Sequence, residues 1–392
     1  MLIVGLDICK SSVVACVISE LPPEPRQFYY DADYQTFDAN AAGIRELLEL
    51  KPNVAVMEPT GVNYQKLWGI HLHRAGVKVV LVGHAELHHH RAKYLKLPDK
   101  DDQADALALA CYYLTYQHEA NRFLPMRDEK IIKIREIVLR LHHLNRIQSP
   151  VINRIRQDLA WQFPEVALVN SRRCSHKVPL LWGWLAGERE STRYERLFLD
   201  SIGLGISDNV VANAQRICHL QREEMALEDE LDSMMRDLSF ELYHRVFEEF
   251  GFGQRIEALI LSQIYPIENF LGEGNRPIVT IKKGRNSGKP TKRHLSRRRF
   301  EKALGVAPTE NSSGDKKGKK VIGGSRLCRT ALWQWTFTRV EPKRNRNTPI
   351  LIELGEFVDE QKAHGKPIKL IRSHVGAKTA KMLFKKLVKS LE

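Results

Sequence analysis

The sequence predicts an α/β plus α chain: a mixed-sheet domain at the N-terminus, a helical middle, and a mostly helical, basic C-terminal part. Three observations predict it. Short apolar runs alternate with helical patterns over roughly the first 120 residues. A three-four spacing of apolar residues marks the middle, and a segregated surplus of Lys and Arg marks the end. With 392 residues, two or three domains are expected, and we place them at residues 1–125, 126–248 and 249–392.

In the first region, LIVGLDI and SVVACVI read as strands joined by a turn at Lys10 and Ser11. FYYDADYQTFD reads as a third strand. A helix is expected from about Asn40, a suitable cap, to Leu50, followed by NVAVMEP as a buried strand. A helix around Tyr64–Ala75 and the apolar run VKVVLVG come next. DKDDQADALALACYYLTYQH reads as a helix just after Pro98, with Leu107, Ala110, Cys111 and Leu114 on one face.

In the middle, apolar residues fall at Ile134, Ile137, Leu141, Leu144, Val151 and Ile155, with a kink expected at Pro150. The pattern lapses around Phe163–Gly205 and returns with Ile217, Leu220, Leu227, Leu231, Met234 and Leu238. Such heptads serve either an antiparallel hairpin within the chain or a coiled coil between protomers. Spacing alone leaves both open.

Charge is the clearest guide to partners. Arg276–Arg346 holds 21 basic and 4 acidic residues, a net of +17, while the rest holds 40 basic and 43 acidic, a net of −3. Segregation of this kind builds a polyanion-binding surface. IVTIKKGRNSGKPTKRHLSRRRF and GVAPTENSSGDKKGKK read as Lys/Arg/Gly/Ser loops. Lys282, Lys283, Arg285, Arg297, Arg298, Arg299, Lys316, Lys317, Lys319 and Lys320 are the candidate nucleic-acid contacts. The six cysteines include no CxxC pair, which argues against a zinc ribbon or disulfide scaffold and fits a reducing cytoplasm. No leader-like segment precedes the first strand and no run is long enough to span a bilayer, so a cytoplasmic protein with no membrane partner is expected.

Asp7 ends the first strand, Glu58 ends another, and Asp102 and Asp105 share one face at the start of a helix. Three elements can thus bring four carboxylates together. Phosphodiester chemistry needs such a cluster, because hard divalent cations take oxygen ligands and both attacking and leaving oxygens need neutralising. The bland alternative is that acidic residues in a first helical turn only complement the dipole.

In order, GLDICK, MEPTGVNY, KDDQADALALA and GVAPTENSSG with RLCRTAL resemble four blocks of the DEDD-type transposases of the insertion-sequence 110 family, related to Piv-type DNA invertases. The match departs in several places, among them an insertion of basic residues between the GFGQRIEA block and GVAP. One extra residue precedes Tyr64, Asp101 stands where the family usually has Thr, and GFGQRIEA replaces a GxGPxTA block, with Gln254 at the proline. The resemblance implies a RuvC-like RNase H fold, with Asp7, Glu58, Asp102 and Asp105 as an acidic tetrad binding Mg²⁺, or Mn²⁺ in its place. It implies Ser313 as a nucleophile on DNA, with Ser312 its neighbouring alternative. It further implies DNA as substrate, a non-coding guide RNA, and a homo-oligomer, dimer or tetramer.

Competing readings are a RuvC-like structure-specific endonuclease without serine chemistry, a sugar-kinase or actin-like ATPase suggested by GLDICKSS, and a non-enzymatic RNA-binding protein. The ATPase reading lacks a second phosphate hairpin and leaves the basic segment unexplained. GRNSGKP is not a P-loop, since Pro290 stands where Ser or Thr is needed. His84, His88, His89 and His90 have no accompanying ligand pattern, so an exposed helix face or a polar RNA-contact surface is expected there.

Overall fold

The computed structural model describes the chain except residues 60–63, 120–121, 125–127, 284–287, 311–318, 322 and 392, and the side chains of Glu310, Lys319 and Lys320. It forms two compact units, Met1–Met126 and Arg127–Glu392.

The first unit begins with β1 (Ile3–Ile8), β2 (Ser12–Ile18), α1 (Pro25–Asp31), β3 (Gln35–Asp38) and α2 (Ala41–Glu49). It continues with β4 (Val54–Met57), α3 (Tyr64–Arg74), β5 (Lys78–Leu81), α4 (His84–His89), a π-type turn at His90–Tyr94, and α5 (Asp102–Tyr116). The sheet order is β3-β2-β1-β4-β5. The first three strands form an antiparallel meander, and β4 and β5 run parallel to β1. This is the RNase H-like topology.

Strand periodicity divides the sheet's two faces. Val4, Leu6 and Ile8 point to one side with Ala55 and Met57, where Ile44 and Leu47 of α2 and Trp68 and Leu72 of α3 cover them. Ile3, Val54 and Val56 point to the other, against α5. Residues 104 and 106–113 of α5 are all buried, as a helix laid across a sheet requires.

Gly5 lets α5 lie that close. A Cβ at Gly5 would stand 2.0 Å from the Ala106 carbonyl oxygen and 2.8 Å from the Ala110 nitrogen. Gly5→Ala is therefore expected to force strand and helix apart, costing about 1–3 kcal/mol or more. Calorimetry should show a lower melting temperature, and DNA cleavage should fall with it, because α5 carries two of the four carboxylates.

Asn40 caps α2 as expected, its side chain accepting from the Ala42 and Gly43 amides at 2.9 and 3.0 Å. FYYDADYQTFD is not one strand. Pro25 starts a helix that takes in Phe28–Asp31, and only Gln35–Asp38 pairs with β2. Tyr30 is an exposed residue of that helix. Tyr29 is buried, and its hydroxyl donates to Asp101.

The second unit opens on α6 (Glu129–Gln162), which runs unbroken across Pro150. After α7 (Leu180–Leu185) and α8 (Thr192–Leu199) comes α9 (Asp208–Met235), packed along α6. Lys133 pairs with Glu230 at 2.8 Å, Arg140 with Glu223 at 2.6 Å, and Gln148 accepts from Gln221. Advance along α6 meets retreat along α9, so the heptads form an antiparallel hairpin within the chain. The irregular connector builds its own core at the far end from Leu159, Phe163, Leu181, Trp182, Val210 and Ile217.

Next come α10 (Glu241–Glu249), α11 (Gln254–Ile264), β6 (Val279–Lys283), β7 (Pro290–His294), α12 (Leu295–Ala303), β8 (Pro308–Glu310) and β9 (Lys319–Val321). The chain ends with α13 (Arg326–Trp335), a π-type turn at Thr336–Val340, α14 (Pro349–Ala363) and α15 (Ile368–Lys389). The basic segments expected as loops instead contain two ribbons. β6 pairs with β7 and β8 with β9, both antiparallel. Val279, Thr280 and Ile281 supply the β-branched residues for the first, and the surplus of Lys and Arg obscured that signal in the sequence.

Candidate active site

Asp7 lies two residues beyond Gly5, on the face that α5 covers. The β1–β4 ladder ends at the Leu6–Met57 pair, so Asp7 and Glu58 follow it side by side at the C-terminal ends of parallel neighbours. Glu58 falls on the side of Val54 and Val56 by the same two-residue period. α5 begins there too. Asp101 caps it, accepting from the Ala104 amide at 2.7 Å, and places Asp102 and Asp105 in the first turn.

The carboxylates converge electrostatically. The carboxyl of Asp7 is pushed up to about 7, first by burial and then by the negative charges of Asp102, Asp105 and Glu58, with a hydrogen bond to Asp102. Two members also have partners that sequence reading missed. Glu58 Oε1 lies 2.6 Å from Nδ1 of His84, which opens α4 directly after β5. Asp105 Oδ1 accepts from Arg91, whose side chain is 6% exposed. Among the described residues, no three His, Cys, Asp or Glu side chains already stand in a geometry that closes on one metal ion.

The histidine run is not uniformly exposed. His88 and His89 face solvent, but His90 is 2% exposed, 4.8 Å from the Tyr94 ring in a stack and edge-on to Tyr112. Burial pushes its imidazole down to about 4, so it packs as a neutral ring. The π-type turn brings it inward, a backbone detail that no side-chain pattern announces.

In the second unit, Thr291, Lys292, Arg293 and His294 of β7 line a groove together with Arg297, Arg298 and Glu301 of α12 and with Ala307 and Pro308. Lys282 and Lys283 are exposed on β6. Arg297 pairs with Glu301 at 3.2 Å, and Arg299 donates to the Asn269 carbonyl at 3.2 Å. Arg285, Ser312, Ser313, Lys316 and Lys317 lie outside the described residues, as do the side chains of Lys319 and Lys320.

A family model for the DEDD transposases of IS110, described as a transposase, matches residues 4–164. A second, described as the transposase IS116/IS110/IS902 family, matches residues 287–348. The matches fall in the expected order and together span more than half of the chain. The chain belongs to the IS110 transposase family. As an IS110 transposase it is a DNA-cleaving enzyme, and the first match holds all four carboxylates. The second holds Lys292, Arg293, Arg297 and Arg298 of the groove. No curated protein matches the sequence. Among solved structures, Thermus thermophilus RuvC is 14% identical with a TM-score of 0.24, covering 32% of this transposase and 100% of that chain. T. thermophilus RuvC in complex with Holliday junction substrate is 15% identical, with a TM-score of 0.25, 32% and 99% coverage. Among the described residues, no helix is long and apolar enough to cross a membrane.

Proposed function

We propose that this transposase cuts and rejoins DNA with a Mg²⁺-bound tetrad of Asp7, Glu58, Asp102 and Asp105, and with Ser313 as nucleophile, guided by a non-coding RNA. The observation that carries the tetrad is the convergence of the four carboxylates from β1, β4 and α5, strong enough to hold a proton on Asp7 to about 7. The donor set fits a hard divalent cation, since it is all oxygen and its mutual repulsion is what such a cation relieves. When bound, the ion polarises the scissile phosphate and screens the charge on the leaving oxygen. Mn²⁺ suits the same donors.

The chain's own groups do the rest. His84 lies against Glu58 and Arg91 against Asp105, so two of the four carboxylates have basic partners. The basic groove of β7 and α12 grips the sugar-phosphate backbone, and such contacts position DNA without reading its sequence. In the reaction implied by the family resemblance, the Ser313 oxygen attacks phosphorus and gives up its proton. The ester oxygen of the broken strand leaves as a hydroxyl, and the strand stays bound as a phosphoserine ester. Rejoining reverses the exchange on a new end. Tetrad and serine are supplied by a homo-oligomer in this reading.

The test is a strand-transfer assay with the element's ends and its non-coding RNA. Ser313→Ala is expected to abolish both strand transfer and the covalent protein–DNA adduct seen on denaturing gels. Omitting the RNA should abolish target choice. Cleavage that survives Ser313→Ala intact would make the protein a RuvC-like endonuclease acting through the tetrad alone. An adduct retained by Ser313→Ala and lost in Ser312→Ala would move the chemistry by one residue.

A further inference from the structure

We propose that Arg91 is a counter-cation built into the acidic cluster, which weakens the cluster's grip on a divalent ion and keeps the cluster folded between loadings. The inference rests on the metal reading above.

The guanidinium is fixed in place. Arg91 is 5% exposed and lies in the His90–Tyr94 turn, which packs against α5. The His90 ring beside it is locked among Tyr94, Tyr112 and Tyr116. The Leu97 amide donates to the Arg91 carbonyl at 3.2 Å, closing the turn. His84, the other basic partner in the cluster, has a side chain 64% exposed and is free to swing out. Arg91 has no such route. An arginine stays charged at any working pH, and a buried one cannot leave its carboxylate without stranding an unpaired charge. It therefore remains on Asp105 when an ion arrives, and one of four negative charges is cancelled in advance.

A partner of a metal ligand can act in two ways with opposite signs. A group that only orients the ligand raises affinity, and its loss typically costs 10–100-fold. A like charge held near the ion lowers affinity, and its loss tightens binding. Here the backbone of Asp105 has separate anchors. Its amide donates to the Asp101 carbonyl at 3.0 Å, and Asp101 itself caps α5 and accepts from Tyr29. Orientation thus depends on Arg91 less than charge does, and the electrostatic sign is expected to win.

Titration of the full-length, metal-free protein with Mn²⁺ by calorimetry decides. Arg91→Gln keeps an N–H donor and removes the charge, so it should bind Mn²⁺ about tenfold more tightly. Arg91→Lys keeps the charge and should stay near wild type. Metal-free Arg91→Gln should also melt lower at pH 8, with Mn²⁺ restoring more of the loss than it adds to wild type. Unchanged or weaker Mn²⁺ binding by Arg91→Gln would overturn the proposal and leave Arg91 a bracing residue. Should Arg91→Gln fail to fold, Asp105→Asn is compared with the double variant Arg91→Met/Asp105→Asn. Tighter binding by the double variant supports the counter-cation, and no gain overturns it. A wild-type protein that binds no Mn²⁺ would defeat the metal reading itself, and this inference with it.

Discussion

Asp7→Asn is expected to reduce DNA cleavage about a thousandfold or more while making the metal-free protein harder to unfold at pH 8. The loss follows from removing one oxygen donor, since a bound divalent ion supplies several kcal/mol of transition-state stabilisation. The gain follows from where the Asp7 proton sits. Its carboxyl titrates near 7 in the folded protein, above the ordinary value of 3.8, so the folded state binds more protons between those values. Stability contributed by this group therefore falls as pH rises from about 4 to about 7, and the penalty is complete above that. Asn carries no such penalty. Melting temperatures of the two metal-free proteins should nearly coincide at pH 4 and diverge in favour of Asp7→Asn by pH 8. Mg²⁺ should raise wild type at pH 8 and leave Asp7→Asn almost unmoved. A lower melting temperature for Asp7→Asn at pH 8 would mean that the four carboxylates do not strain one another.

That pH signature depends on an arrangement partly legible in the sequence. Periodicity placed Asp7 and Glu58 at strand ends, and the Asp102–Asp105 spacing placed two carboxylates on one helical face, because strand and helix repeats are local properties. The antiparallel α6–α9 hairpin was legible as one of two alternatives, since a heptad states that a seam is buried and not which chain buries it. Arg91 and His84 were not legible. Each meets its carboxylate through tertiary packing, across 14 residues for Arg91 and Asp105 and from a neighbouring strand end for His84. The β6–β7 ribbon was hidden differently. Strands are usually read from alternating burial, yet Val279, Lys282, Lys283, Lys292 and Arg293 are all exposed, so the ribbon has no buried face to announce it. Pairing is supplied by the backbone ladder, and the side chains remain available for phosphates.

Those side chains carry the other large expected effect. Replacing Lys292, Arg293 and Arg298 together with Gln should weaken DNA binding about a hundredfold at physiological salt. It should lower the slope of log affinity against log salt by roughly 0.9 for each phosphate no longer neutralised, or about 3 in all. Sequence preference should not change, because a groove of Lys and Arg facing a backbone holds DNA in register and reads no base edge. Glu301 gives the control of opposite sign. It lies in the same groove, 3.2 Å from Arg297, and burial raises its carboxyl above the ordinary range. Glu301→Gln removes a negative charge from the phosphate path and releases Arg297, so it should tighten DNA binding where the triple variant loosens it. The groove would also bind DNA more strongly as pH falls through the Glu301 titration, and that dependence should vanish in Glu301→Gln. Fluorescence anisotropy with a labelled duplex across a salt series measures all three. An unchanged salt slope in the triple variant would place the DNA elsewhere on the second unit, and a weaker Glu301→Gln would make the Arg297–Glu301 pair a structural brace of α12 instead of a brake on binding.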